Sequence, residues 1–289
     1  MKRIIFIIIL FIVLLCVFTN CSTKYLDQPF SDFSDSTKNI GKNTSYCFDQ
    51  LFSEEINTRI AESLKIDAMN PSLLEPKVLT WSQLELRKEF INYLVNYTTL
   101  LESIIIKDYS KDISKNAQQV KKNIETISLT HTDLLKKRAS NLSLSIYSAL
   151  AETLTASARR AFILKTMHQH QPILETVIEK LKQELETTQI LINNFFDRQF
   201  LYMVSLVWPT KESSREKYAK IGAKILKRQR EINSMLKEVI QAVVLIPTTH
   251  RQLIKQVKDN QGPGQTLYQL TNAGTRLAEM LKEFSNEKK

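Results

Sequence analysis

At 289 residues the chain has room for one large or two modest domains, and its 43% hydrophobic and 24% charged content is that of a globular protein. Five glycines argue against a glycine-rich phosphate loop, and three cysteines leave no room for a disulfide framework. The formal charge of +10 favours anionic partners such as lipid head groups, cell-wall polymers or nucleic acid.

Met1-Lys2-Arg3 is a short positive segment, and the fifteen residues from Ile4 to Phe18 carry no charge. That run falls short of the roughly 18–20 residues a membrane span needs, and it suits the apolar core of a signal peptide. Thr19-Asn20-Cys21-Ser22 comes next. The segment resembles the signal-peptide end of bacterial lipoproteins, which signal peptidase II cuts before a diacylated Cys. It departs from the strict pattern at Phe18 and Asn20. The rival Cys16 follows Leu15, which is too bulky for that cleavage site.

The resemblance implies a signal peptide over residues 1–20 and a lipid on Cys21. It also implies an address in the cell envelope. Ser22 is not the Asp that retains such proteins at the inner membrane, which points to the outer membrane, facing the periplasm. Loss of Lys2 and Arg3 with the signal peptide leaves +8 (10 − 2). The expected partners are the membrane, through the anchor, a further protein, and anionic lipid; a secreted chain is not expected to bind nucleic acid. With Cys16 removed and Cys21 acylated, only Cys47 is left, and its place beside Phe48 predicts a buried thiol.

Residues 21–45 are rich in Ser, Thr, Asp, Asn and Lys, with Pro29 and Gly41, and predict a lipidated flexible tether. The helical bundle domain is expected over 46–289. Phe48, Leu51, Phe52, Ile56, Ile60 and Leu64 form a first helical stripe, broken at Asn70-Pro71 and Glu75-Pro76. Thr80-Trp81-Ser82-Gln83 is a capping box ahead of a helix with Leu84, Ile91, Leu94, Leu101 and Ile105 in line. A more polar helix runs from Asp108 to about Leu135, and another from Ser140 or Asn141 to His170.

Pro172 suits the first turn of the next helix, whose Leu174, Ile178, Leu181 and Leu185 hold a 3–4 spacing. Asn193, Asn194, Asp197 and Arg198 make Ile190–Trp208 a bundle helix rather than a membrane span. Pro209 ends it, a helix covers about Ser213 to Leu245, Pro247 opens a segment to Asp259, and Gly262-Pro263-Gly264 turns into a last helix. No strand pattern competes. The expected fold is all-α, an elongated multi-helix bundle of about six or seven helices. Stretches such as Leu79-Thr80-Trp81-Ser82-Gln83 and Glu89-Phe90-Ile91-Asn92-Tyr93-Leu94 resemble helical lipoproteins of Gram-negative bacteria in style, which implies no activity.

No chemistry-bearing motif emerges. His168 and His170 point about 200° apart on a helix, and His131 and His250 stand alone in the sequence. There is no HExxH, no paired Glu-x-x-His and no GxSxG, so neither metal, cofactor nor catalytic residue is expected. One surface feature stands out: Lys217, Lys220, Lys224 and Lys227 recur at three and four along one helix flank. Such a row either contacts an anionic surface or is a solvated flank whose stems cover the core edge. The expected function is that of a non-catalytic, membrane-anchored scaffold or protein-binding module. The alternatives are an apolar-ligand or lipid carrier, with a cavity lined by residues such as Phe195, Phe196, Tyr202 and Met203, and an unrecognised cell-wall enzyme.

Overall fold

Apolar side chains spaced at three and four residues must be buried on one helix face, and that spacing runs through nearly the whole chain. The computed structural model describes residues 2–65, 80–105, 110–131, 156–207, 212–259 and 264–286. Among them are α1 (Lys2–Lys65), α2 (Trp81–Ile105), α3 (Ser110–His131), α4 (Ala156–Val207), α5 (Glu212–Val243), α6 (Leu245–Asp259) and α7 (Gln265–Asn286), and no strand. The all-α multi-helix architecture is as the sequence indicates. The expected start of a helix at Ser140 or Asn141 lies outside the described residues.

The chain forms two compact units. Unit 1 comprises Met1–Lys38, Asn92–Thr176 and Leu245–Asn272; unit 2 comprises Asn39–Ile91, Val177–Val244 and Ala273–Lys289. The core of unit 1 is built from Phe30 and Phe33 of α1, Leu94 and Leu101 of α2, Val120 and Ile124 of α3, Leu174 of α4, and Leu253 and Val257 of α6. That of unit 2 uses Phe48 and Leu51 of α1, Phe90 of α2, Leu181 and Leu185 of α4, Leu236 and Val239 of α5, and Leu277 of α7.

The tether is a correction. Residues 27–45 are helical, and Phe30, Phe33, Ile40 and Cys47 are buried with Thr37 and Thr44 between them on the same 3–4 spacing. The bundle therefore does not begin at residue 46. The hydroxyl and amide residues that look like loop signals satisfy themselves on the preceding turn of their own helix. Ser36 Oγ donates to the Asp32 carbonyl at 2.6 Å, Asn43 Nδ2 to Asn39 at 2.9 Å and Thr44 Oγ1 to Ile40 at 2.8 Å. A hydroxyl paired in this way enters a core without an unmet donor.

Pro172 is a second correction. It does not open a helix but lies inside α4. A proline in a helix interior removes one backbone bond at a cost of about 3 kcal/mol. Burial of Met167, His170, Ile173 and Leu174 around it offsets that loss. Pro247 behaves as expected, in the first turn of α6.

The capping box at α2 forms as read. Gln83 N donates to Thr80 Oγ1 at 3.3 Å, Thr80 N donates to Gln83 Oε1 at 2.9 Å, and Leu84 N closes the first turn on the Thr80 carbonyl at 3.0 Å. Thr80→Ala is expected to lower the stability of unit 2 by about 1 kcal/mol. Urea unfolding read by circular dichroism measures it, and an unchanged midpoint would deny the cap its role.

In unit 2, α4 and α5 run antiparallel. Asn193 accepts from Gln229 Nε2 at 3.1 Å and from Asn233 Nδ2 at 2.6 Å, whereas a Cβ at Gly222 would run into Met203 Cε. Gly222 thus lets the two helices approach where Met203 fills the gap. Among the described residues no helix is long and apolar enough to cross a membrane. Ile192, Phe195 and Phe196 are buried in the stretch beginning at Ile190, while Ile190 and Leu201 are 64% and 65% exposed, so only one face of it is core.

Candidate functional site

The first half of α5 carries little of the core. Between Arg215 and Arg230 only Gly222 is buried, whereas Ile232, Met235, Leu236, Val239, Ala242 and Val243 in the second half all are. Lys217, Lys220, Lys224 and Lys227 are all exposed. At 100° per residue they fall within an arc of about 80°, next to the face that α5 turns to the core. Lys220 pairs with Glu216 at 2.7 Å and Lys227 with Glu231 at 3.5 Å. Lys217 and Lys224 have no ion-pair partner among the described residues. From Arg215 to Glu231 there are seven basic and two acidic residues, a local balance of +5 (7 − 2). Glu216, Lys217, Lys220, Ile221 and Lys224 line an open depression of about 410 Å³, and Ile221, the apolar residue among them, is 39% exposed.

Cys21 belongs to α1, but its side chain lies outside the described residues. Cys47 is fully buried, and that burial pushes its thiol well above the usual range, so it is inert as a nucleophile. Of the residues considered for a ligand cavity, Phe195, Phe196 and Met203 are buried in unit 2 and Tyr202 is half-buried. No group of three or more His, Cys, Asp or Glu residues able to hold a metal occurs among the described residues.

Unit 1 encloses a cluster of polar rings that the sequence analysis does not single out. His168 is exposed and His170 buried, as their spacing requires, but His250 is not solitary. Tyr93 and Tyr97 stand one turn apart on the buried face of α2 and meet both histidines. Tyr97 stacks on His170 at 4.4 Å between ring centroids and its hydroxyl lies 2.6 Å from His250 Nε2, while the Tyr93 hydroxyl lies 3.3 Å from His170 Nδ1. Phe33 closes the far side of the His250 ring at 6.0 Å.

The donors can be assigned in order. Gln171 Nε2 donates to Glu175 Oε1 at 2.6 Å, so the Gln171 carbonyl oxygen faces His250 Nδ1 and accepts from it. His250 is then protonated at Nδ1, and Nε2 accepts the Tyr97 proton. The relay Tyr97–His250–Gln171 ends on the half-buried Glu175 carboxylate, which Arg251 Nε also reaches at 2.9 Å. Burial holds His170 at a pKa of about 3. Burial, and then repulsion from His170 and His168 whenever those rings are protonated, holds His250 at about 3. Both rings are therefore neutral at physiological pH, and they tie α2, α4 and α6 together inside unit 1.

The signal that could have found this relay is a pair of tyrosines four residues apart within an apolar stripe, since buried phenols require polar partners. Which histidines would answer them depends on packing that spacing alone does not fix. No family model matches the chain, and no curated protein or solved structure matches it.

Proposed function

We propose that the protein is a lipid-anchored bacterial envelope lipoprotein whose helical body serves as a non-catalytic scaffold or protein-binding module. One observation carries this reading: the run Lys2-Arg3, Ile4 to Phe18 and Thr19-Asn20-Cys21, with its charge, its apolar length and its cysteine in the order that lipidation requires. A diacylated Cys21 supplies the two chains that stable anchoring needs. The scaffold is preferred to a carrier because Phe195, Phe196 and Met203, the residues best suited to line an apolar cavity, are spent on core packing.

The helical course of α1 alters how such an anchor would work. Phe30, which is buried, follows Cys21 by nine positions, about 13 Å along a helix. The body would sit near the bilayer instead of standing off on a long coil.

Metabolic labelling with an alkyne fatty acid tests the anchor. Wild type and Cys16→Ser are expected to be labelled and cleaved, and Cys21→Ser to remain unlabelled and uncut. Normal labelling and processing of Cys21→Ser would overturn the reading. Crosslinkers at exposed positions, used in cells, are expected to capture a discrete protein partner; capture of lipid alone would refute the scaffold.

A further inference from the structure

We infer that the exposed first half of α5 docks flat on an anionic phospholipid surface, with Lys217, Lys220, Lys224 and Lys227 at the head groups and Ile221 among the lysine stems. The inference rests on the proposed membrane address for the surface at hand, but its chemistry stands on α5 itself. A helix that serves only as a bundle member buries an apolar stripe along its length, and this one does so only from Ile232 onward. What precedes it is a helical segment with a local balance of +5.

The cations of the row are all lysines. A lysine is a point charge on a flexible four-carbon stem, suited to a fluid array of phosphates without fixed geometry, whereas fixed carboxylates on a protein partner favour the rigid fork of arginine. The one aliphatic residue named in the lining agrees with that choice. Ile221 lies between Lys217, Lys220 and Lys224 and offers an aliphatic contact at the depth where lysine stems enter the interface. The intrahelical pair of Lys220 with Glu216 joins two exposed groups and is weak, so phosphate can replace that glutamate, and the exposed Lys227 reaches the half-buried Glu231 only at 3.5 Å. Each lysine near an anionic bilayer raises partitioning about fivefold. The row is thus too weak to anchor a protein alone and strong enough to orient one already attached.

The test uses the full chain with vesicles in excess, so that the α5 face meets lipid whatever else holds the protein. Amide exchange over 215–230 is compared in phosphatidylcholine vesicles and in vesicles that also contain phosphatidylglycerol. Exchange in this segment is expected to slow about tenfold or more in the anionic vesicles at low salt. The effect should vanish at high salt, where the screening length falls from about 10 Å towards 3 Å. A variant with all four lysines changed to Gln should lose the protection, and the matching Lys→Arg variant should recover it. Unchanged exchange in residues 81–91 of α2 verifies that each variant is folded.

Equal exchange in the two kinds of vesicle overturns the inference, as does equal protection of wild type and the Gln variant. Protection that requires an added acidic protein, and not anionic lipid, also overturns it. Running the same comparison with Cys21→Ser keeps the two readings apart: loss of lipid labelling concerns the anchor, and loss of α5 protection concerns the docking face.

Discussion

Lowering the pH from 7 to 5 is expected to cost unit 1 about 4 kcal/mol of stability through His170 and His250 alone. Both are fully buried, and burial holds both at a pKa of about 3 against 6.5 for the free side chain. As the pH falls through 6.5 the unfolded chain takes up two protons that the folded chain refuses. The stabilisation is complete above 6.5 and is lost progressively down to about 3, at roughly 1.4 kcal/mol per pH unit per histidine. Most carboxylates titrate near 4, so the interval from pH 7 to 5 isolates the histidines.

Urea unfolding, with amide exchange in α6 reporting on unit 1, measures the slope. Changing both histidines to Gln is expected to weaken the fold at pH 7, because Tyr93 and Tyr97 lose their partners, and to flatten the dependence between pH 7 and 5. Each single variant should remove about half of the slope. A double variant as steep as wild type would place the acid sensitivity elsewhere.

The second large effect is expected at α1. Phe33→Ala should destabilise unit 1 by about 3–5 kcal/mol, the cost of emptying a fully buried aromatic site that also supports the His250 ring. Deleting residues before 46 should do more. It removes Phe30, Phe33 and Ile40 together and strips Glu102 of α2 of both Ser34, at 2.9 Å, and Lys38, at 3.1 Å. A fragment starting at 27 is expected to unfold cooperatively, and one starting at 46 to lose protection across α2, α3 and α6. Equal unfolding midpoints for the two fragments would mean that α1 adds nothing before residue 46.

How much of this was legible depends on which atoms carry the pattern. The stripes of α2 and α5 are aliphatic and aromatic, and both helices lie close to where the spacing places them, with the Thr80 cap formed as read. The stripe of α1 is equally regular, but Thr37 and Thr44 occupy two of its positions. Read by composition they signal a loop; back-bonded to their own helix they are core. Pro172 misleads in the opposite sense, because its local preference for a helix start is overridden by buried neighbours on both sides. The lysine row was visible in full, since exposure follows from the helix wheel. The histidine–tyrosine relay joins residues 77 and 153 positions apart, and no local rule reaches that far.

The division of the chain has a consequence for the order of folding. Unit 1 is completed by Leu245–Asn272 and unit 2 by Ala273–Lys289. His250, the centre of the relay in unit 1, and Leu277, a core residue of unit 2, both belong to these final stretches. Neither unit can close until most of the chain has been made, and contacts of such long range slow closure relative to a bundle of adjacent hairpins. Late closure also leaves the emerging helices exposed to aggregation until the last one arrives.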